Sequence, residues 1–336
     1  AVEGLNIEFA TQILADGVHL ERSAGYHDWM CQVYLSLWRL GRRRGELGLE
    51  LPDERIARMH AYTLHHTKPN GTGCGFNDAH GRARTDEAGE AALAKTVERH
   101  RSLLAEAGLD EAIPRAGLFT TAGQAFYRTG FSPDDLWWAF DASGWGGGHM
   151  HLSRLSVEMH AGRRTVLPDP GIFDYEMSNP FAAVGKGTPA HSTMNVDLAN
   201  QADVDATMLR AIDLPQAVVV QGRYEAGYWP GEYKWRFEAG RGRGFAGTHD
   251  RTVIWLKDRA MIVLDALMHD GLAPAYLHWV SDDVPIEWDA DEMVLTTDDP
   301  EGNVRLQICP IGPGPVAAEI RRGETDPHLG WVARRA

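Results

Sequence analysis

Apolar residues in the first third of the chain recur at helical spacing. Across residues 27–44 they fall every third or fourth position, and the run ends in arginines, which suit the C-terminal end of a helix. A second helix is predicted to begin at Pro52-Asp53-Glu54, with proline in its first turn. A third is predicted from about Glu87 to Ala107, where Gly108 follows as a stop signal.

Beyond Pro114 the pattern changes to short apolar runs that are separated by frequent turns. Such spacing predicts an antiparallel β-sandwich. The predicted fold class is therefore α+β and multidomain, with helices over residues 1–113 and the sandwich over residues 114–336. The main predicted strands are 125–128, 136–140, 155–159, 165–167, 217–221, 252–256, 260–264, 293–297 and 304–308.

The charge balance narrows the classes of partner. The 336 residues include 47 acidic and 33 basic side chains, a formal net charge of −14, and no basic run is longer than Arg42-Arg43-Arg44. This balance argues against nucleic acid, and we expect no such partner. No segment resembles a signal peptide and no apolar run is long enough for a membrane span, so we expect no membrane association. The three cysteines are far apart and form neither a disulfide framework nor a metal-binding spacing.

Two histidines in the middle of the chain are the first candidates for chemistry. His149 and His151 are two residues apart, so on a strand both imidazoles would share one face with the apolar run 155–159. A buried imidazole needs a partner, which a metal ion or a substrate carboxylate would provide. The alternative is a surface pair or a pair satisfied within the core. A hairpin turning at 161–164 would also place Asp169 opposite residue 156, so only a bend at Pro168-Asp169-Pro170 would bring it to the histidines.

Two segments resemble those of the heparinase II/III-like polysaccharide lyases. The first orders Gly148-His149-Met150-His151, Asp169-Pro170-Gly171 and Ala190-His191-Ser192-Thr193 as in that family. The second, from Asp16 to His27, is similar to the family segment Asp-Gly-Gly-x-x-Glu-x-Ser-x-x-Tyr-His, with Val18 in place of the second glycine. The resemblance implies an (α/α) toroid followed by a β-sandwich. Residues 1–113 would be the C-terminal part of a toroid that is truncated at its front.

The resemblance also implies a metal site. His151, Asp169 and His191 would hold a divalent cation with a structural role, and two imidazoles with one carboxylate are donors that suit Zn²⁺. Family members often carry an aspartate where Ser153 stands in this chain. We therefore expect that a carboxylate able to orient His151 is missing.

The residue roles implied by the resemblance describe β-elimination on a uronic acid. Tyr26 would be the catalytic phenol and His149 its partner across a cleft, with Tyr175 as a weaker candidate. Tyrosine and histidine can serve as general acid and base when their pKa values suit the working pH. The expected substrate-binding residues are Glu21, which could position the pair, His27, and two tryptophans in a Gly-rich region that could stack on sugar rings, Trp229 and Trp235.

The implied substrate is an acidic polysaccharide or oligosaccharide, which requires a local basic cleft on an acidic protein. Candidates for that cleft include Arg154, Arg163, Arg164 and Lys186. The family's Asn-His pair for the uronate carboxylate would precede Tyr26 by some fifty residues and is absent, so we expect a fragment without full activity. The alternatives are a non-catalytic carbohydrate-binding or structural protein and a metal-dependent glycan hydrolase. The resemblance suggests a periplasmic or secreted protein, although the cytoplasm and a homodimer stay open.

Overall fold

The computed structural model describes residues 1–79, 87–110, 112–176, 179–231, 244–257, 259–299, 304–312, 316–325 and 328–330. Within these residues an N-terminal group of helices precedes a β-rich part that contains one further helix. None of the described helices combines the length and the apolar character that crossing a membrane requires. The helices are α1 (Val2–Gln12), α2 (Ala24–Arg43), α3 (Asp53–His66), α4 (Glu87–Ala107) and α5 (Pro180–Lys186).

The three helices predicted from the spacing of apolar residues are present as α2, α3 and α4. Their apolar stripes meet each other and α1 in one small core, in which Trp38 also donates its indole N–H to Asp53 Oδ1 at 2.8 Å. The helix α1 was not predicted, and only Phe9 of its residues is buried. The core of the helical part comprises Phe9, Ile13, Cys31, Tyr34, Trp38, Leu51, Ile56, Met59 and Leu103.

Strands are the main regular structure of the described residues after 115, and their pairings are antiparallel. The first five are β1 (Ala116–Phe119), β2 (Gln124–Arg128), β3 (Trp137–Asp141), β4 (Ser156–Ala161) and β5 (Arg164–Leu167). Next come β6 (Met194–Val196), β7 (Asn200–Gln201), β8 (Thr207–Asp213), β9 (Ala217–Tyr224), β10 (Tyr228–Trp229), β11 (Gly247–Leu256) and β12 (Ala260–His269). The last are β13 (Ala275–Leu277), β14 (Ile286–Asp289), β15 (Val294–Thr297), β16 (Gln307–Ile308), β17 (Glu324–Thr325) and β18 (His328–Leu329).

Two large sheets form the predicted sandwich. One has the strand order β1-β2-β3-β4-β5, and the other has the order β12-β11-β9-β8. Alternate residues of β9 and β11 are buried, as expected for strands with one face on a core. The inner faces of the two sheets share one core, which includes Tyr127, Trp138, Phe140, Val157, Met159, Val218, Val220, Val253 and Trp255.

The five-stranded sheet is covered on both faces, which is why every residue of β2 and β3 is buried. Its second face packs against the helical part through aromatic residues, and Trp137 donates its indole N–H to the carbonyl of His65 at 2.7 Å. A Cβ at Gly117 would lie 2.4 Å from Cγ of His65, so glycine permits this close approach of β1 to α3. The shared core contains Val18, Tyr62, Cys74, Phe76, Phe119, Phe126, Trp137 and Ala139.

The prediction of a strand that carries both His149 and His151 is wrong. His149 lies in a turn and His151 in the irregular segment after it, and β4 begins only at Ser156. Leu155 has a φ of +66°, and its N–H donates to the carbonyl of Asp141 at 2.6 Å, so the chain enters β4 from a sharp bend. The two imidazoles therefore do not share a strand face.

Candidate functional site

Tyr26, in the first turn of α2, meets two residues of the β-rich part. Its ring stacks on His149, with 4.1 Å between ring centroids and 20° between ring planes. Its hydroxyl lies 3.0 Å from the hydroxyl of Tyr175. Glu21 completes the group, because its Oε1 lies 2.8 Å from Nδ1 of His149. The structure thus brings together four of the residues named from the sequence.

This group has the properties that proton transfer requires. The His149 side chain is 30 % exposed and Tyr175 is 40 % exposed, so both are accessible to a ligand. When the Glu21 carboxylate accepts a hydrogen bond from Nδ1–H of His149, Nε2 remains as the basic nitrogen of the neutral imidazole. Burial raises the pKa of the Tyr175 phenol well above its ordinary value, and the bond to Tyr26 and the nearby Asp78 carboxylate raise it further. Tyr175 is therefore suited to donating a hydrogen bond.

His151, Asp169 and His191 form a second, fully enclosed cluster. Each offers a ligand atom, and these atoms lie within 4.8 Å of one another. Nδ1 of His191 is 2.8 Å from Oδ2 of Asp169, whereas Nδ1 of His151 and Nε2 of His191 are buried without a hydrogen-bond partner. Two buried imidazole nitrogens in need of a partner, beside one carboxylate, fit a zinc-type ion. Asp169, in the irregular segment that follows β5, reaches this cluster.

Asp78 supplies a carboxylate beside His151, where the sequence predicted none. Its Oδ1 accepts from Nε2 of His151 at 2.8 Å and from Nζ of Lys186 at 2.5 Å. It thus takes the part expected of an aspartate at Ser153. Asp78 lies 73 positions before His151. No sequence spacing indicates such a contact, and the only local signal is an acidic residue at the end of a Gly-rich loop.

His27 does not lie where a substrate-binding residue is expected. It lies in the first turn of α2 and is fully buried. Its Nδ1 accepts from the backbone N–H of His19 at 3.1 Å, and its Nε2 donates to the carbonyl of Met59 at 2.9 Å. Both nitrogens are used within the fold, so this histidine holds the segment before α2 against α3.

We predict that His27 makes folding sensitive to acid. Burial lowers its pKa to about 3, so between about pH 3 and 6.5 the unfolded chain binds a proton that the folded chain does not. The free energy of unfolding then falls by about 1.4 kcal/mol for each pH unit below 6.5 from this residue alone. Urea unfolding measures this free energy at pH 7 and at pH 5. The decrease between the two pH values should be about 2 kcal/mol smaller in His27→Gln than in the wild type. If the free energy of unfolding decreases equally in the two proteins, His27 does not make folding sensitive to acid.

Of the two tryptophans expected to stack on sugars, the structure describes only Trp229. Trp229 is partly buried in β10, where it pairs with Asn200 of β7. Asn200 in turn accepts from the backbone N–H of Thr188, in the turn before His191. This pairing places Trp229 beside β7, whose Asn200 is bonded to the turn that precedes His191. Trp235 lies outside the described residues.

Two members of the expected basic cleft are internal. Arg154 is fully buried and donates to Oδ2 of Asp141 at 3.3 Å and to Oγ of Ser143 at 2.9 Å. Lys186 is 1 % exposed and is bonded to Asp78. These two charges stabilise loops around the site and are not available to a polyanion in solution.

Comparisons with known proteins give consistent results for both parts of the chain. The family profile described as "Heparinase II/III-like, C-terminal" matches residues 113–328, and "Heparinase II/III N-terminus" matches residues 1–97. The crystal structure of heparan sulfate lyase HepC from Pedobacter heparinus has a TM-score of 0.72 and 18 % sequence identity, and the match covers 90 % of this chain and 46 % of that chain. A heparinase III, the BT4657 gene product, has a TM-score of 0.70 and 17 % sequence identity, and the match covers 89 % of this chain and 45 % of that chain. This chain thus spans less than half the length of these proteins. No curated protein matches it.

Proposed function

The chain belongs to the heparinase II/III-like family, and we propose that it carries the catalytic tyrosine and histidine of a lyase that cleaves a uronic-acid-containing polysaccharide by β-elimination. The observation that supports this most directly is the stacked contact of Tyr26 with His149, closed by the 3.0 Å contact between the hydroxyls of Tyr26 and Tyr175. Two phenols and an imidazole that are partly exposed at one place form an acid-base set. The acidic polysaccharide follows from the family relationship and is part of the proposal.

In the proposed reaction, Nε2 of His149 takes the proton from C5 of the uronate ring. The electrons of the C5–H bond form the C4=C5 double bond, the C4–O4 bond breaks, and the Tyr26 phenol gives its proton to O4. Tyr175 then donates a hydrogen bond to the Tyr26 phenolate, a charge that a positioned donor stabilises well in a partly desolvated site. Glu21 holds the His149 ring in the orientation that this requires.

The test is cleavage of a panel of uronic polymers, followed by the ultraviolet absorbance of the unsaturated uronate product. An increase that depends on His149 supports the lyase. A cleaved product without the double bond favours the metal-dependent hydrolase. Binding of a polymer without cleavage by the full-length protein favours the carbohydrate-binding alternative.

We further propose that His151, Asp169 and His191 hold one divalent ion, with zinc as the expected metal. When bound, the ion would join three separate segments and so brace the turn that carries His149. The donor set of two imidazoles and one carboxylate supports zinc over a purely oxygen-binding cation. The support from this structure is the burial of the three side chains and their two partnerless nitrogens.

Removing the ion is expected to lower stability measurably. A ligand that binds only the folded state at 100 times its Kd adds about 2.7 kcal/mol. Elemental analysis of the wild type should give one ion per chain, and a chelator should lower the melting temperature. His191→Ala should contain no ion and show no further effect of chelator, whereas His269→Ala, on β12, should behave as the wild type. A wild type without metal, whose melting is unchanged by added zinc, would refute the site.

Several broader expectations stay predictions. We propose that residues 1–113 and 114–336 are the two domains of the chain, that sugar stacking by Trp229 contributes to substrate binding, and that the protein is periplasmic or secreted. Light scattering coupled to size-exclusion chromatography tests the homodimer. Fractionation of the source cells tests the location.

A further inference from the structure

The segment that carries both candidate histidines, residues 148–152, is bonded to the helical part at successive positions. We call it the histidine loop. The backbone N–H of Asp78 donates to the carbonyl of His149 at 3.0 Å. The backbone N–H of His151 donates to Oδ1 of Asn77 at 3.1 Å. Asn77 and Asp78 thus fix the backbone of the histidine loop on both sides of Met150.

Lys186, the last residue of α5, fixes the histidine loop from the other direction. Its Nζ donates to the carbonyl of Gly148 at 3.3 Å, and its own carbonyl accepts from the backbone N–H of Leu152 at 2.9 Å. The same Nζ reaches Oδ1 of Asp78. Lys186 is therefore bonded to both ends of the histidine loop, at Gly148 and Leu152. It is also paired with Asp78, which is bonded to the loop between these ends.

Asp78 also determines which nitrogen of His151 is available. Its Oδ1 accepts from Nε2 of His151, and both side chains have no exposed area. Nδ1 of His151 is left buried without a partner, in the cluster with Asp169 and His191. A carboxylate that accepts from one imidazole nitrogen fixes the ring tautomer and leaves the other nitrogen as the metal ligand.

We propose that Asp78 and Lys186 act as a positioning pair, which makes Nδ1 of His151 the metal ligand and, through the histidine loop, holds His149 against Tyr26. This rests on the proposed function, because it assigns residues that support the same metal and catalytic groups. A buried ion pair adds little net stability, since desolvation offsets most of its attraction. A role in orienting two histidines gives a reason for its burial.

The first experiment measures zinc affinity by competition with a chelator. Asp78→Asn removes the carboxylate, and the double variant Asp78→Asn with Lys186→Met also removes the lysine charge, so no unpaired ion is left buried. Both are expected to bind zinc about 10- to 100-fold more weakly than the wild type, the usual effect of losing a carboxylate that orients a ligand. Asp134→Asn, which alters a surface pair with Arg163, is the matched control and should bind as the wild type.

Unchanged zinc affinity in the folded double variant would overturn the proposal. A second measurement uses the unaltered protein labelled with ¹⁵N-histidine and loaded with zinc. The imidazole shifts should show a protonated Nε2 and a metal-bound Nδ1 at His151, whereas a metal-bound Nε2 would overturn the assignment. If the wild type itself binds no zinc, the metal site and this inference fail together. If it binds zinc but the variants are unaffected, only the inference fails.

Discussion

Replacing Tyr26 with phenylalanine is expected to lower the rate of elimination by about 100-fold or more, the usual effect of losing a general acid or base. The change removes only the hydroxyl, so the ring should remain stacked on His149 and the fold should survive. What is lost is the proton donor for O4 and the hydrogen bond to Tyr175. The measurement is steady-state turnover of the full-length protein on the polymer that it cleaves best.

Tyr34→Phe is the matched control, because Tyr34 lies two turns further along α2 and packs on Phe9 with its ring. It should leave turnover almost unchanged. If Tyr26→Phe retains nearly wild-type turnover, Tyr26 is not the catalytic phenol. Tyr175→Phe is then the next variant to test.

The largest effect on stability is expected from Asp265→Asn. Arg251 of β11 is fully buried, and its Nε and Nη2 donate to the two carboxylate oxygens of Asp265 at 2.7 and 3.1 Å. The same guanidinium donates to the carbonyls of Leu155 and Ser192, which flank the candidate metal site. Removing the carboxylate charge leaves a buried cation without its counter-ion, which typically costs about 3–5 kcal/mol.

Urea unfolding at neutral pH measures this loss. The matched control is Asp250→Asn, also in the four-stranded sheet, where Asp250 pairs with the side chain of Arg223 near the surface. Solvent already screens that pair, so its loss should have a much smaller effect. If the two variants are destabilised equally, the burial of Arg251 is not what makes Asp265 important.

Local patterns in the sequence predicted most of the fold. The spacing of apolar residues identified α2, α3 and α4 because each buries one stripe against its neighbours. The short runs after residue 114 identified β2, β3 and β11, whose residues fill the sandwich core. The helix α5 and the strand β8 were missed. In β8 no residue is buried, so its apolar positions carry little pattern.

Residues of the site that belong to a sequence motif could be predicted. Residues that reach the site only through contacts distant in the sequence could not. Tyr26, His149 and the three candidate metal ligands were named from ordered motifs, and the structure brings them into two adjacent groups. The burial of His27 could not be predicted, because its motif position carries no information about burial. Asp78 was missed because its partners are 73 and 108 positions away, with no regular periodicity between them.

The five-stranded sheet, with a core on each face, also has a mechanical consequence. Because it shares aromatic side chains with both the helices and the second sheet, neither neighbour can separate without exposing them to water. The chain should therefore unfold in a single cooperative transition. The stacked rings of Tyr26 in α2 and His149 in the histidine loop should therefore keep a nearly constant separation until the whole chain unfolds.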